Sequence, residues 1–239
     1  MYQTFFDLAK KPFSITSSPS FLFLSKRHEE ALAHLTYGIK ERLGFIEITG
    51  EVGTGKTTVC RALLNQLDEK TKTAFIFNSN MSEAQLMQTI VDDFGIKTAQ
   101  KSKGALFSEL NHFLIEQLGR GNNVVLIIDE AQNLSQKLLE QVRMLSNLES
   151  DNEKLIQIVL VGQPELRDKL SSPALRQLRQ RIAVRYHIEA LSREEVGQYI
   201  QHRLSLAGAN GNAPIFDENA VDAVYQYSKG IPRLINILC

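Results

Sequence analysis

The segment Gly50-Glu51-Val52-Gly53-Thr54-Gly55-Lys56-Thr57 constrains this chain more than any other. It fits the pattern G-x-x-x-x-G-K-[ST], following a strand-like run, Phe45 to Thr49, and preceding a helical pattern, Thr57 to Leu67. That order matters chemically. Glycines let the backbone curl so that successive N–H groups face one centre, and the start of the helix adds the positive end of its dipole. Such a loop cradles phosphates: Lys56 would reach the β- and γ-phosphates of a nucleotide, and Thr57 would offer its hydroxyl to Mg2+. The candidate nucleotide-binding residues are therefore Gly50, Glu51, Val52, Gly53, Thr54, Gly55, Lys56 and Thr57, with Thr58 beside them. A loop of this kind needs a strand behind it and a helix in front, which points to an α/β fold.

The rest of the chain agrees. Phe45 to Thr49, Thr73 to Asn78, Val124 to Ile128, Leu155 to Val161 and Ile182 to Ile188 are short runs rich in β-branched or aromatic residues. Helical patterns separate them: one from Glu29 to near Gly44, then Thr57 to Leu67, Ser82 to Phe94 with Gln85 at capping-box spacing, Leu106 to Leu118 and Leu138 to Leu148. Parallel neighbours need a long return path, so the alternation predicts a five-stranded, doubly wound parallel sheet flanked by helices. After Ile188 the strands stop. Ser192 with Glu195, Asp217 and Pro232 read as three helix starts, predicting a small all-helical unit over the last 50 or so residues. The apolar pattern Ile237-Leu238-Cys239 carries no stop signal, which suggests a fragment of a longer protein.

Composition narrows the class. The 239 residues are 43% apolar, enough for a well-covered core. Lys plus Arg and Asp plus Glu balance at 27 each, which argues against a general nucleic-acid or membrane-surface binder. Cys60 and Cys239 have no paired spacing, and the five histidines no metal-ligand spacing; both cysteines read as buried small hydrophobes in a reducing compartment, and the histidines as surface or packing residues. The N-terminus lacks a basic region followed by an apolar one, and no stretch approaches the roughly 20 apolar residues of a membrane span. A cytoplasmic location is expected. Phe5, Phe6, Phe13, Phe21 and Phe23 are too many large apolar groups for a free tail, so the arm over residues 1–28 is expected to pack on the body of the domain, with a loop over Ser14 to Ser20.

A second motif completes the chemistry. Val124-Val125-Leu126-Ile127-Ile128-Asp129-Glu130 is an apolar strand ending in two carboxylates, at the sheet edge where open α/β folds bind ligands. Asp129 would hold Mg2+ directly or through water, and Glu130 would orient and activate the attacking water.

With its adjacent Asp129-Glu130, its trailing helical unit and its Gly230-Ile231-Pro232-Arg233, the chain resembles AAA+ ATPases. More narrowly, Met1-Tyr2 with Phe5-Phe6, Lys11-Pro12-Phe13, Phe21-Leu22-Phe23-Leu24-Ser25 with His28, and the phosphate loop resemble the general secretion pathway protein A family and related secretion or pilus-biogenesis ATPases. The resemblance implies a nucleotide-binding domain over 29–189 and a helical lid over 190–239. It implies Gln163 as a first sensor of the γ-phosphate and Arg233 as a second, in the lid. It also implies an arginine finger supplied to a neighbouring subunit from among Arg176, Arg179, Arg181 and Arg185, with Arg181 favoured and Arg179 next. The adenine is expected between Leu24 to His28, the phosphate-loop helix and the lid near Ile231. By the same resemblance the protein is a homo-oligomer using ATP and Mg2+, at the cytoplasmic face of the inner membrane, with an inner-membrane secretion or pilus-assembly partner. In that family a membrane span and a peptidoglycan-binding part follow. The rival reading is a DNA-transaction ATPase of the transposition target-selection type, which the zero net charge disfavours.

Overall fold

The computed structural model describes residues 2–14, 21–77, 81–99, 102–149, 153–209 and 215–239. In chain order the elements are α1 (Tyr2–Phe5), α2 (Lys26–Lys40), β1 (Phe45–Gly50), α3 (Lys56–Gln66), β2 (Thr71–Ile76), α4 (Glu83–Asp93), α5 (Lys103–Gly119) and β3 (Asn123–Ile128). There follow α6 (Gln136–Leu145), β4 (Gln157–Gly162), α7 (Pro164–Leu170), α8 (Arg176–Arg181), β5 (Ile182–Ile188), α9 (Arg193–Leu206), α10 (Glu218–Ser228) and α11 (Pro232–Leu238).

The five strands form one parallel sheet in the order β2-β3-β4-β1-β5. Side chains alternate across it, as a strand period of two requires. Val124, Leu126, Ile128, Ile158 and Leu160 face a core built with α4, α5 and α6. Ile46, Ile48, Val125, Ile127, Val159 and Val161 face the opposite core, built with α2 and α3. Coverage of both faces explains why Val124 to Ile128 in β3 and Ile158 to Val161 in β4 read as unbroken apolar runs. The predicted five-stranded sheet is thus present, with strand edges moved by a residue or two; β2 starts at Thr71 rather than Thr73, and Asn78 lies outside the described residues.

Local signals start the helices where expected. Ser82 and Gln85 cap each other's backbone N–H groups at α4, and Ser192 and Glu195 do so at α9. The Asp217 carboxylate accepts from the Ala220 N–H at 2.7 Å to open α10, and Pro232 occupies the first turn of α11. These last helices surround a third core made of Leu191, Val196, Tyr199, Ile200, Leu204, Val221 and Ile235.

The N-terminal arm meets both units. Leu8, Phe13 and Phe21 are buried in this third core, against the terminal helices, while Leu22 and Leu24 touch the α2–α3 side of the sheet. The arm is thus seated on the helical unit through Leu8, Phe13 and Phe21 and on the α/β body through Leu22 and Leu24. Buried Arg203 of α9 holds it there: the guanidinium donates to the carbonyls of Pro12 at 2.5 Å and Ser14 at 3.4 Å and lies 5.0 Å over the Phe21 ring. Phe5 and Phe6, expected to pack, are 81% and 40% exposed and meet edge to face. Residues 15–20 of the expected Ser14 to Ser20 loop lie outside the described residues. Cys60 is buried as expected, whereas Cys239 is only partly buried. Among the described residues no helix is long and apolar enough to cross a membrane.

Candidate active site

β1 delivers Gly50 to the carboxyl edge of the sheet, and α3 begins six residues later. Between them Gly53 and Gly55 adopt φ of +84° and +97°, a region that side chains with a Cβ avoid. Gly55 also caps α3 without a side chain, so no N-cap side chain occupies the first N–H groups of the helix. The loop is braced from within: the Thr54 hydroxyl donates to the Glu51 carbonyl at 2.8 Å. Lys56 is buried, its amino group donating to the carbonyls of Gly50 at 2.8 Å and Glu51 at 2.9 Å. Burial pulls its pKa down, and the nearby Glu130, Asp129 and Glu51 carboxylates pull it back up. Thr58, one residue along α3 from Thr57, is half-buried.

Strand order brings the rest together. β4 lies between β1 and β3, so the residues after these three strands share one edge. The Thr57 hydroxyl donates to Asp129 Oδ2 at 2.6 Å, across 72 residues of chain. Glu130 follows with φ of 52°, a strained left-handed conformation for a residue with a side chain. Its carboxylate accepts from Gln163 Nε2 at 3.1 Å and from Gln132 Nε2 at 2.5 Å. Gln163 caps α7 with its backbone only, leaving its amide directed at Glu130.

The C-terminal helical unit touches this loop directly. The Arg233 N–H donates to the Gly53 carbonyl at 3.3 Å, and a Cβ on Gly53 would lie 2.6 Å from Arg233 Cβ and 3.2 Å from Ile231 Cγ2. Arg233 itself is exposed. Gly53 thus serves two needs, the turn and the close approach of α11.

Arg176, Arg179, Arg181 and Arg185 lie elsewhere. Ile182 pairs with Phe45, at the start of β1, whereas Ile188 pairs with Gly50 at the phosphate loop. At a rise of about 3.3 Å per residue, the head of β5 is roughly 16 Å down the sheet from that loop. Arg181 donates to Ser146 Oγ at 2.7 Å, and Arg185 pairs with the buried Glu47 carboxylate at 3.3 Å while donating to the Arg179 carbonyl at 2.5 Å. Arg176 and Arg179 are exposed.

His28 is a packing residue, as expected, and takes a further role that its spacing did not announce. It is buried, its Nε2 lies 2.7 Å from the Thr54 carbonyl, and its Nδ1 accepts from the Ser25 N–H at 3.2 Å. With Nδ1 as acceptor, the ring is the neutral tautomer that donates from Nε2. Ser25 and His28 thereby cap α2 reciprocally and anchor it to the phosphate loop. The spacing of three was visible, but His in place of Glu or Gln hid the capping box. Burial holds the His28 pKa below its ordinary value. The unfolded chain therefore takes up this proton first as pH falls, and stability drops below about pH 6.5 toward the lower folded value. Replacing His28 with Gln removes the titration, so thermal unfolding from pH 8 to 5 should show a shallower acid loss in the variant than in wild type; parallel curves would contradict this.

The AAA domain family matches residues 39–170, more than half of the chain. The chain belongs to the AAA domain family. This AAA domain is also 47% identical to general secretion pathway protein A of Aeromonas hydrophila over 241 residues, covering all of this chain and 44% of that protein. The resemblance read from the aromatic arm and the phosphate loop thus extends along the whole chain, which spans less than half the length of that relative. Among solved structures, the Aeropyrum pernix ORC2 protein superposes with a TM-score of 0.68 at 19% identity, over 95% of this AAA domain and 64% of that chain. A Thermotoga maritima RuvB variant superposes at 0.58 and 17% identity, over 90% and 61%. Both share the fold. By family and by the make-up of its phosphate loop and acid pair, the AAA domain is an ATPase.

Proposed function

We propose that this chain hydrolyses ATP with Mg2+ as an oligomer, and that it serves the assembly or transport of a secretion or pilus machine from the cytoplasmic face of the inner membrane. The contact of the Thr57 hydroxyl with Asp129 carries the chemical part of the proposal. One hydroxyl and one carboxylate beside an anion-binding loop suit Mg2+, a hard cation that takes oxygen ligands and relies on few protein groups besides phosphates and water. When bound, the ion would neutralise charge on the β- and γ-phosphates. Lys56 exchanges its two loop carbonyls for phosphate oxygens, Glu130 orients and activates water, and Gln163, already on Glu130, faces the γ-phosphate side. The adenine fits between the arm near Leu24 to His28 and the lid near Ile231, since His28 and Ile231 both border the loop. Arg233 would report phosphate state to the lid over 190–239, the body being 29–189.

Arg176, Arg179 and Arg181 lie before the head of β5, roughly 16 Å down the sheet from their own phosphate loop, which favours action on a neighbouring subunit. Their order of preference reverses: Arg181 is engaged with Ser146 and Arg185 with Glu47, while Arg179 projects into solvent. The supporting relative, general secretion pathway protein A, favours the envelope role over the DNA-transaction reading.

The test is steady-state ATPase rate against protein concentration, with Mg2+ or EDTA, at two salt levels and with or without duplex DNA. Specific activity should rise with concentration, vanish in EDTA and fall about 10³-fold or more in Arg179→Ala, the range typical of a transferred arginine. Arg181→Ala should lose less. A flat, arginine-independent rate would sink the oligomeric reading, and strong salt-sensitive DNA stimulation would replace the envelope role.

A further inference from the structure

We infer that Gln132 is a positioning residue that locks the Glu130 carboxylate and Gln163 into one unit. The inference rests on the reading of Glu130 as the water-activating acid. Gln132 stands two residues beyond the acid in a short 3-10 turn, Ala131–Asn133, and is nearly buried. Both ends of its amide are used. Nε2 donates to Glu130 Oε2 at 2.5 Å, and Oε1 accepts from the Gln163 backbone N–H at 3.1 Å. The side chain of Gln163 then returns to the same Glu130 oxygen at 3.1 Å. A closed ring of hydrogen bonds thus joins the end of β3 to the end of β4, with Gln132 as the link between the two strands.

Three features support the ring. The backbone under Gln132 is pinned, because the Lys169 amino group of α7 donates to the carbonyls of Gln132 and of Leu134, the latter at 2.9 Å. Gly162 makes room for it: a Cβ there would lie 2.7 Å from Gln132 Oε1. Glu130 itself sits at positive φ, a conformation that persists only where surrounding contacts hold it. A carboxylate held this way has one oxygen, Oε2, fixed by two amides, and any shift of α7 would be passed to it through Gln132.

The test compares Gln132→Leu, which removes both amide bonds, with Gln132→Glu, which keeps an acceptor for the Gln163 N–H and loses the donor to Glu130. Each is assayed as the full chain for ATP turnover, for binding of a fluorescent ATP analogue and for thermal unfolding, alone and combined with Glu130→Gln. Misaligning a catalytic group by about 1 Å costs on the order of 100-fold. Both variants should therefore lose about 10- to 100-fold in kcat, with KM and analogue affinity changing by no more than about threefold. In the Glu130→Gln background, Gln132→Leu should add no further loss, because the two act through one group. Wild-type kcat in both variants, a rise in KM alone, or losses that add fully to those of Glu130→Gln would overturn the role of Gln132. If Glu130→Gln alone keeps the wild-type kcat, it is the assignment of the acid that fails, and the inference with it.

Discussion

Glu130→Gln lowers the rate of ATP hydrolysis by about 10²- to 10⁴-fold, the range over which a positioned general base acts. ATP binding stays within a factor of a few. The reason for the split is geometric. On the proposed reading, affinity resides in the loop, Lys56 and the Thr57–Asp129 pair, whose hydrogen bonds to Gly50, Glu51 and each other do not involve the Glu130 side chain. Gln is nearly isosteric, and its side-chain oxygen can still accept from Gln132 and Gln163. What it cannot do is take a proton from water. Single-turnover hydrolysis beside equilibrium binding of a fluorescent ATP analogue separates the two quantities. Normal binding with wild-type turnover would remove Glu130 from the mechanism. Weakened binding with unchanged turnover would place it among the groups that hold ATP instead.

Gly230→Val should cost about 3 to 5 kcal/mol, the upper range for a single substitution. Gly230 has φ of +76°, which a β-branched residue strongly disfavours. A Cβ there would also sit 1.9 Å from the Leu191 carbonyl oxygen and 2.9 Å from its carbon, both backbone atoms with nowhere to go. Gly230 and Leu191 are joined by a hydrogen bond from the Leu191 N–H to the Gly230 carbonyl at 2.9 Å, and this contact ties the start of the C-terminal helical unit to the turn before α11. For a chain of this size the loss corresponds to a fall in Tm on the order of 10 °C. Because α11 carries Arg233 onto Gly53, ATP affinity should fall as well. Scanning calorimetry with and without ATP measures both effects, and a Tm within about 2 °C of wild type would show that the backbone at Leu191 yields more readily than close packing allows.

Much of the molecule was legible in the chain itself, because its signals are local. The glycines of the phosphate loop, the capping pairs Ser82–Gln85 and Ser192–Glu195, and the apolar runs each act within a few residues. A doubly covered sheet also leaves its own mark, since strands buried on both faces lose the alternation of half-exposed ones. The arm shows where locality fails. Its aromatics announced that it must be buried, but its seat on the helical unit depended on the apolar face that α9 and α10 leave uncovered and on the Arg203 guanidinium reaching back from 191 residues away. His28 and Gln132 were missed for a related reason. Each bonds a group whose nearness depends on the tertiary fold: Thr54 for one, the Gln163 backbone for the other.

The sequence by itself determined that a strand, a glycine loop and a helix would build an anion cradle, and that an acid pair would end another buried strand. Those outcomes depend on backbone conformation and side-chain period, which neighbouring residues set. Only the tertiary structure decided that β4 separates β1 from β3, and so that Gln163 lies between the phosphate loop and Glu130. It alone put the arginines at the far end of β5 and left Arg179 more open than Arg181. Strand order arises from the packing of whole layers, and no window of adjacent residues contains that information.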